Sequence, residues 1–398
     1  MISYQEAKQI ISKHLYKPKS ISVSIEEANG RILAENLIAD RDFPPFDRVT
    51  MDGIAIRHAD FESGKRAFPI ADTIGAGMPQ KDLDISGKCV QIMTGAIMPK
   101  GLDTVIRYED LSIKNDIATI EVKEVNHQQN IHFKAQDRLS GEVVVSAGTK
   151  LSPVELIVAA SVGKSTVKVK ALPKAAIITT GDELVDIDES PLEHQIRRSS
   201  NYGVLALLKD WNIEATQFHL RDDKELMLNE LRSILSDYEL IVLTGGVSRG
   251  KFDFLPEVLE ELGVEKHFHK VKQRPGKPFW FGIRGEENVV FALPGNPVSS
   301  FACANIYIKE WLEASLDQPV GEEYAELASD LSFPPELTWF IECKLENAAS
   351  GFVKATPFRG NGSGDFANLT LADGFLILPD NKSEFKAREV YRYIRFRN

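Results

Sequence analysis

Strands and helices alternate along one stretch of the chain, and this alternation limits the fold more than any other feature of the sequence. Apolar runs of strand length exchange places with amphipathic runs of helix length between residues 173 and 317. The predicted strands are 175–179, 213–219, 240–244, 264–271 and 289–293, and the predicted helices are 200–211, 223–235, 253–262 and 298–312. Such alternation is typical of an open, mostly parallel sheet, whose ligands bind beyond the carboxyl ends of the strands.

The segments before and after the α/β stretch have different sequence patterns. Residues 4–15 carry apolar side chains at helical spacing, and Ser152 before Pro153 predicts the start of a second helix. Short alternating runs broken by Gly and Pro indicate β structure before and after the α/β stretch. We predict an α/β multi-domain protein of four domains: 1–42 with 131–172 as a discontinuous linking domain containing helices, 43–130 as an inserted β domain, 173–317 as the α/β domain, and 318–398 as a C-terminal β domain.

Charge and cysteine content exclude several classes of protein. The formal net charge of -11 provides no cationic field for nucleic acid or for an anionic membrane surface. The three cysteines, Cys89, Cys303 and Cys343, are too far apart in sequence for a zinc motif or a disulfide framework. The first residues lack the apolar region of a signal peptide, and no apolar run reaches membrane-spanning length. We therefore expect a cytoplasmic protein.

Two strand ends in the α/β stretch suggest a phosphate site. Gly245 and Gly246 follow a predicted strand and precede Ser248 and a predicted helix, so backbone N–H groups can converge on an anion. The segment 181–183 ends the first strand with two acids, and Asp253 follows the Gly turn, so carboxylates could hold a hard cation against phosphate oxygens. The alternatives are a tight turn that merely needs glycine, and acids that cap helices.

Other turns carry charge or polar groups. Arg274 and Lys277 flank a Pro-Gly turn after a strand, where Arg grips oxyanions bidentately and Lys supplies a point charge. The segment 293–299 forms another strand-to-helix turn, and Asp52 and Thr94 lie on predicted loops of the inserted β domain. Taken singly, each of these segments is more often an ordinary turn than a binding site. No Ser or Cys occupies a nucleophile elbow, which favours positional and electrostatic catalysis over a covalent mechanism.

Six of these motifs occur together and in order, and through them the chain resembles the MoeA family, which includes the E domain of gephyrin. The resemblance spans nearly the whole chain. The motifs are Pro45-Phe46-Asp47 with Met51-Asp52-Gly53, Met93-Thr94-Gly95-Ala96, Thr180-Gly181-Asp182-Glu183-Leu184, Gly245-Gly246-Val247-Ser248 with Asp253, Pro275-Gly276-Lys277-Pro278, and Leu293-Pro294-Gly295-Asn296-Pro297.

The resemblance implies a homodimeric, magnesium-dependent transferase with a MogA/MoaB-like α/β domain, which inserts molybdate into adenylyl-molybdopterin and releases AMP. It implies that Glu183 and Asp253 hold magnesium and act in catalysis with Asp52 and Asp137. The implied substrate-binding residues are Thr94, Lys134, Gly181, Asp182, Gly245, Gly246, Ser248, Arg274, Lys277, Pro294, Gly295, Asn296, Pro297 and Ser363, and Arg138 and Arg359 are further candidates for binding molybdate.

The implied partners are the two small-molecule substrates, a second subunit and, transiently, the molybdopterin adenylyltransferase. The chain departs from the family at His132-Phe133-Lys134, where an Arg-rich run is usual, so the choice between molybdate and tungstate stays open. Two other classes of function also stay open. One is a scaffold that retains an ancestral pterin site, and the other is a nucleotide hydrolase with the same α/β core.

Overall fold

The computed structural model describes residues 1–246, 254–348, 351–360, 362 and 364–397. The chain divides into two compact units. The larger unit contains Met1–Ile21, Gly30–Ile32 and Val169–Asn398, and the smaller unit contains Ser22–Asn29 and Leu33–Lys168. Within the described ranges, no helix combines the length and the apolar character needed to cross a membrane.

The α-helices are short, and three of those that the structure describes begin with a side-chain N-cap. Ser3 and Ser152 each accept a hydrogen bond from the first turn of their helix and are in turn contacted by the carboxylate of Glu6 or Glu155, so both helices start with a capping box. The helices are α1 Tyr4–Ile11, α2 His58–Glu62, α3 Pro153–Ser161, α4 Ser200–Asp210, α5 Lys224–Asp237, α6 Leu255–Glu261, α7 Pro297–Cys303 and α8 Lys309–Ser315. A π-helical segment, Ala304–Ile308, joins α7 to α8.

The strands up to residue 170 belong to the smaller unit, except for the outer ends of the first and the last of them, which belong to the larger unit. They are β1 Ser20–Ser24, β2 Leu37–Ile38, β3 Arg48–Val49, β4 Gly53–Ile56, β5 Ala67–Ile74, β6 Cys89–Ile92, β7 Thr104–Arg107, β8 Leu111–Lys114, β9 Ile117–Ile120, β10 Ile131–His132, β11 Val143–Val145 and β12 Thr166–Lys170. Burial is complete along β4 and alternates along β9 and β12, as expected for strands that cover a core.

The remaining strands belong to the larger unit. They are β13 Ala175–Thr180, β14 Leu184–Val185, β15 Ile196–Arg197, β16 Ala215–Leu220, β17 Leu240–Thr244, β18 Glu265–His269, β19 Gln273–Arg274, β20 Trp280–Arg284, β21 Asn288–Leu293, β22 Glu323–Leu327, β23 Leu331–Ser332, β24 Thr338–Asn347, β25 Val353–Pro357, β26 Gly374–Leu378, β27 Glu384–Phe385 and β28 Val390–Arg395.

The α/β part of the larger unit contains a six-stranded sheet in the order β16-β13-β17-β21-β20-β18. β16, β13, β17 and β21 are parallel, while β20 runs antiparallel to both of its neighbours. Apolar cores lie on both faces of this sheet, one containing Phe291 and Trp311 and the other Leu243 and Leu259. The prediction of an open, mostly parallel α/β sheet is confirmed.

The C-terminal part of the larger unit is a second six-stranded sheet, in the order β19-β24-β25-β22-β28-β26 with an additional pairing of β24 with β26. β19 comes from the α/β stretch and pairs in parallel with β24, so Arg274 lies opposite Trp339. This pairing places the predicted cationic turn beside the C-terminal sheet.

The smaller unit holds a six-stranded sheet in the order β7-β4-β6-β5-β9-β8. Two antiparallel pairs, β2 with β11 and β3 with β10, connect the chain entering this sheet to the chain leaving it. That arrangement is what an inserted domain requires, because both ends of an insertion must return to the same place. The division into four domains stays a prediction.

Several predicted boundaries were wrong. The first helix ends at Ile11 instead of continuing to residue 15, because the carbonyl of His14 accepts a hydrogen bond from Trp311 Nε1 at 2.8 Å and the amide of Tyr16 donates to Ser315 Oγ at 3.0 Å. The strand Trp280–Arg284 was not predicted, because its apolar run directly follows the turn at Pro278. In both places, tertiary partners decided the local conformation.

Candidate functional site

The predicted phosphate turn lies at the carboxyl end of β17, and its two glycines are sterically required. Gly245 and Gly246 have φ angles of 106° and 70°, which side chains rarely adopt. A Cβ at Gly246 would lie 2.7 Å from Thr180 Oγ1 and 3.0 Å from Leu255 Cδ2. The turn therefore packs closely against Thr180 and Leu255, and glycine is the residue that fits there.

A second turn, which follows β21, adjoins the first. The amide of Gly245 donates to the carbonyl of Leu293 at 3.1 Å, and a Cβ at Gly295 would lie 3.6 Å from Gly245 Cα. Ser200 Oγ, at the start of α4, donates to the carbonyl of Gly295 at 3.0 Å. The ends of two parallel strands and the starts of α4 and α7 thus meet at one edge, where helix N-termini favour anions.

Acidic side chains gather at the same edge. Glu183 follows β13 and lies close to Gly181, whose φ of 130° is one that side chains rarely adopt. The amide of Asp222, after β16, approaches Asp182 Oδ1 at 3.4 Å. Burial raises the pKa of Asp222, and the neighbouring charges of Asp182 and Glu183 raise it further. Sequence reasoning missed Asp222, although its position after a parallel strand was a usable signal.

These residues surround a cavity of about 390 Å³. It is lined by Thr179, Thr180, Glu183, Leu184, Ile196, Arg197, Arg198, Ser199, Ser200, Thr244, Gly245, Gly246, Pro278, Pro294, Gly295, Asn296 and Pro297. Among the residues that the structure describes, the buried Thr244 Oγ1 has no hydrogen-bond partner. A buried hydroxyl without a partner is costly, so a ligand in this cavity would satisfy it. We call this cavity the phosphate pocket.

The predicted cationic turn is held from behind by buried groups. Gln273 Nε2 donates to the carbonyl of Gly276 at 2.9 Å, and Gln273 Oε1 accepts from the hydroxyl of Tyr307. A Cβ at Gly276, whose φ is 87°, would lie 2.5 Å from Cys303 Sγ. Because the turn is fixed, the exposed side chains of Arg274 and Lys277 project from a defined place.

An aromatic pair organises the cationic side chains. Phe333 and Trp339 stack at 4.3 Å between ring centroids. The guanidinium of Arg274 lies 5.8 Å from the Phe333 ring, and that of Arg359 lies 5.4 Å from the Trp339 ring. Each cation therefore lies over a π face, and Arg359 also donates to the carbonyl of Ser332, which fixes the position of its guanidinium. Neither aromatic residue was singled out from the sequence.

These side chains line a second cavity, of about 630 Å³, which we call the cationic pocket. Arg274, Lys277 and Arg359 provide its positive charge, and Glu342 is its acidic lining residue among those the structure describes. The cationic pocket and the phosphate pocket share Pro278, Pro294 and Asn296. The two cavities therefore adjoin.

In the smaller unit, the predicted pair Asp52 and Thr94 are in direct contact. The amide and the hydroxyl of Thr94 both donate to Asp52 Oδ1 at 2.7 Å. These two hydrogen bonds hold the pKa of Asp52 below its usual range. Gly53 follows on β4, where a Cβ would lie 1.9 Å from the carbonyl oxygen of Ile106. The Met51-Asp52-Gly53 motif thus places an exposed, ionised carboxylate on a tightly packed strand.

The other predicted residues of the smaller unit lie near β10. His132 Nε2 lies 2.9 Å from Asp137 Oδ1, and Lys134 Nζ lies 3.3 Å from Asp42 Oδ2. The guanidinium of Arg138 donates to the carbonyl of Asp137 at 2.7 Å. Lys134 and Arg138 are exposed, so both remain accessible to an anion despite these contacts.

Three predicted site residues, Ser248, Asp253 and Ser363, lie outside the residues that the structure describes. Within the described ranges, no group of three or more His, Cys, Asp or Glu side chains is arranged to hold a metal ion.

Comparisons with known proteins cover nearly the whole chain. Residues 2–163 match the model of the MoeA N-terminal region (domain I and II), residues 176–314 that of a probable molybdopterin binding domain, and residues 324–394 that of the MoeA C-terminal region (domain IV). A Synechocystis protein named molybdopterin molybdenumtransferase is 38% identical over 396 residues, 99% of each chain. One from Staphylococcus epidermidis is 30% identical over 398 residues, 98% of this chain and 94% of the relative.

A solved structure of similar fold agrees with the sequence matches. The crystal structure of the molybdopterin biosynthesis moeA protein from Pyrococcus horikoshii OT3 superposes with a TM-score of 0.82, at 27% identity and over 100% of both chains. The likeness therefore extends over both the α/β sheet and the flanking β sheets.

Proposed function

The chain belongs to the MoeA family, and from this premise we propose that it is a molybdopterin molybdenumtransferase, which inserts molybdate into adenylyl-molybdopterin and releases AMP. Its role lies in molybdenum cofactor biosynthesis. The observation that carries the proposal is that a glycine-lined phosphate pocket adjoins a cationic pocket, with three lining residues in common. A nucleotide-activated pterin and an oxyanion need two such neighbouring compartments.

The phosphate pocket would hold the pyrophosphate of the substrate. The amide of Gly246 would supply a backbone N–H, the start of α7 at Pro297 would supply a positive helix end, and Thr244 Oγ1 would supply a buried hydroxyl. Because the whole protein is negatively charged, the anion must be held by such local groups. Gly181 and Asp182 line the approach from β13, where the glycine makes room for the Glu183 carboxylate.

Magnesium would suit the acids at this edge. Carboxylate oxygens are the ligands that Mg²⁺ prefers, and it commonly takes one or two of them together with substrate phosphates. Glu183 is exposed at the pocket. Asp182 and Asp222 lie close by and would orient Glu183 or the water ligands of the magnesium ion. Glu183 and Asp253 would hold the ion. Bound there, it would neutralise charge that develops on the leaving phosphate.

The cationic pocket would hold molybdate. Arg274 and Arg359 offer two fixed guanidinium groups, and Lys277 adds a point charge from the turn between the two pockets. Two negative groups, the pyrophosphate and the oxyanion, must approach one another during transfer. Positive charge at the boundary of the pockets offsets their repulsion, and fixed positions lower the entropic cost of the encounter.

The exposed residues of the smaller unit are proposed to act on the same substrates. Asp52 is held ionised by Thr94, and Asp137 accepts a contact from His132. Lys134 and Arg138 provide positive charge in the segment that departs from the family. These assignments rest on the resemblance and on exposure of each side chain.

We also propose a homodimer, transient contact with the molybdopterin adenylyltransferase, and a cytoplasmic location. On α3, Val154 and Ile157 are 65% and 69% exposed, an apolar face that suits a subunit interface. Leu192 and Ile196 are 62% and 61% exposed, and Ile196 lines the phosphate pocket. A protein that delivers the nucleotide could dock there. The buried, unpaired cysteines suit a reducing compartment.

The direct experiment incubates the purified protein with adenylyl-molybdopterin, magnesium and either molybdate or tungstate. We expect AMP and active cofactor to form together, and chelation of magnesium to stop both. A protein that releases AMP without oxyanion would instead be a nucleotide hydrolase. If neither oxyanion supports release and calorimetry detects no pterin or nucleotide binding, a scaffold role replaces the enzyme.

A further inference from the structure

One lining residue of the cationic pocket has the opposite charge from the others. Glu342 lies on β24, where its neighbours Ile341 and Cys343 are fully buried in the core of the C-terminal sheet. Since successive side chains of a strand point to opposite faces, Glu342 faces the other way, into the cavity beside the α/β sheet. Its backbone carbonyl accepts from the amide of Phe358 at 3.0 Å, which fixes the strand at this point.

The carboxylate is not neutralised by the cations around it. Among the residues that the structure describes, no ion pair within 4.0 Å involves Glu342, although Arg274, Lys277 and Arg359 line the same cavity. The charged groups facing it are Arg274 from β19, Lys277 from the following turn, Arg359 from the segment after β25, and Asp365 before the last short helical turn. Glu342 is half-buried.

These surroundings make the carboxyl group easier to protonate. Burial raises the pKa of Glu342 above its usual range and the charge of Asp365 raises it further, while a hydrogen bond from its own backbone amide and the charge of Arg274 act in the opposite direction. In its protonated form a carboxylic acid can donate a hydrogen bond and a proton, which an ionised carboxylate cannot do. An acid of this kind does not repel an oxyanion that the same pocket attracts.

We propose that Glu342 is the general acid of the cationic pocket, donating a proton to the oxygen that molybdate loses when the pterin sulfurs bind the metal. The assignment rests on the proposed function, because it needs an oxyanion and a dithiol in this cavity. Insertion of one molybdate into one dithiol breaks two S–H bonds and one Mo–O bond. It forms two Mo–S bonds and one water molecule, and the metal keeps its oxidation state.

The two thiol protons and the departing oxo group balance as water, so no other reactant is needed. Glu342 would pass its own proton to the oxo group and recover one from a thiol, ending in the form in which it began. An oxide dianion is a very poor leaving group, whereas water leaves readily, so the proton must arrive as the Mo–O bond breaks. General acids placed in this way contribute roughly 100-fold to 10,000-fold to a rate.

The test compares the full-length protein with Glu342→Gln, and uses Glu346→Gln as matched control, because Glu346 is an exposed glutamate on the same strand. We measure cofactor formation from adenylyl-molybdopterin and molybdate from about pH 5.5 to about pH 9, a range that extends to both sides of neutrality. Molybdate affinity is measured by calorimetry. Glu342→Gln should bind molybdate at least as tightly as wild type and form product roughly 100-fold more slowly. The fall in the wild-type rate at high pH should disappear in that variant. Glu342→Asp, which keeps a carboxyl, should recover part of the rate.

Each other outcome has a definite meaning. If Glu342→Gln forms product at the wild-type rate with an unchanged pH profile, the assignment is overturned while the proposed function stands. If Glu342→Gln loses molybdate affinity and thermal stability but keeps the shape of the pH profile, Glu342 has a structural role. That result also overturns its assignment as the general acid. If wild-type protein forms no product, the proposed function fails, and the assignment fails with it.

Discussion

Thr94 donates two hydrogen bonds to one carboxylate oxygen of Asp52, from its amide and from its hydroxyl, both at 2.7 Å. Both donors meet Oδ1, so the second oxygen takes no part in this contact. The pair joins the loop after β6 to the start of β4. Gly53, which follows Asp52, pairs across the sheet with Ile92, the last residue of β6. A short loop and a strand end thus orient one exposed carboxylate.

Replacing Thr94 with Val tests whether this orientation matters. Valine keeps the amide donor and the shape of the side chain but removes the hydroxyl, so Asp52 loses one of two bonds. We expect turnover to fall by roughly 10-fold to 100-fold with little change in melting temperature, since small misplacement of a reacting group is expensive. Steady-state kinetics and thermal melts measure the two effects. Thr73→Val, at an exposed position of β5, is the control and should turn over normally.

Gly246→Ala should close the phosphate pocket. The new Cβ would lie 2.7 Å from Thr180 Oγ1, at a φ of 70°. Gly263→Ala is a matched control, because Gly263 has a φ of 81° and no atom within 4 Å of an added Cβ. Gly263→Ala should lose about 1–2 kcal/mol of stability from the left-handed backbone alone, and Gly246→Ala should lose more, because Thr180 must also shift. Urea unfolding and AMP calorimetry separate the effects, and equal AMP affinity in the two variants would refute the assigned pocket.

Glu183→Ala should abolish AMP release without unfolding the protein. The side chain is exposed at the pocket, and the structural role of the residue is carried by its backbone carbonyl, which accepts from the amide of Ile196 at 2.9 Å. Glu193→Ala, on the exposed loop that follows, removes the same charge and should leave release unchanged. AMP is quantified by chromatography at several magnesium concentrations. Normal release by Glu183→Ala would remove this residue from the proposed metal site.

The three thiols should be unreactive in the folded protein. Cys89, Cys303 and Cys343 are buried, and burial raises the pKa of each thiol to about 12. Only a thiolate attacks a disulfide reagent, and the thiolate fraction at pH 8 is then about one in 10,000. Ellman's reagent should therefore detect no thiol in buffer and all three in guanidinium chloride. Rapid reaction of one thiol in buffer would indicate that its part of the core opens readily.

Glu389 should make the C-terminal sheet sensitive to acid. Hydrogen bonds from Lys382, Tyr391 and the amide of Lys386 lower the pKa of Glu389 from 4.5 to about 2. A folded-state pKa below the unfolded one stabilises the protein above pH 4.5, and this contribution disappears as the pH falls towards 2. Glu389→Gln should thus melt below wild type at pH 6, and the difference should shrink with acidification. Glu384→Gln, an exposed control, should show no such trend.

Much of the α/β sheet was predictable because strand and helix leave different periodicities in a sequence. The strand Leu240–Thr244 was predicted to the residue, and Ser152 before Pro153 marked the start of α3. Boundaries failed where a distant group intervened, as at His14, whose carbonyl is bound by Trp311. Local pattern cannot register a partner almost 300 residues away.

Candidate site residues show the same division. Gly245, Gly246 and Glu183 could be placed at one edge in advance, because parallel strands carry their ends to the same side of a sheet. The aromatic pair Phe333 and Trp339 could not, since each residue alone resembles any core side chain.

By itself, the sequence determined most strands and helices of the α/β stretch and the turns that require glycine, because those properties depend mainly on neighbours within a few residues. It also determined the family, through motifs that survive in order. Tertiary structure alone decided that the cationic turn at Arg274 lies beside Trp339, and that Glu342 faces three cations in one cavity. These relations depend on which strands pair, and strand pairing is set by the burial of whole faces rather than by any local run of residues.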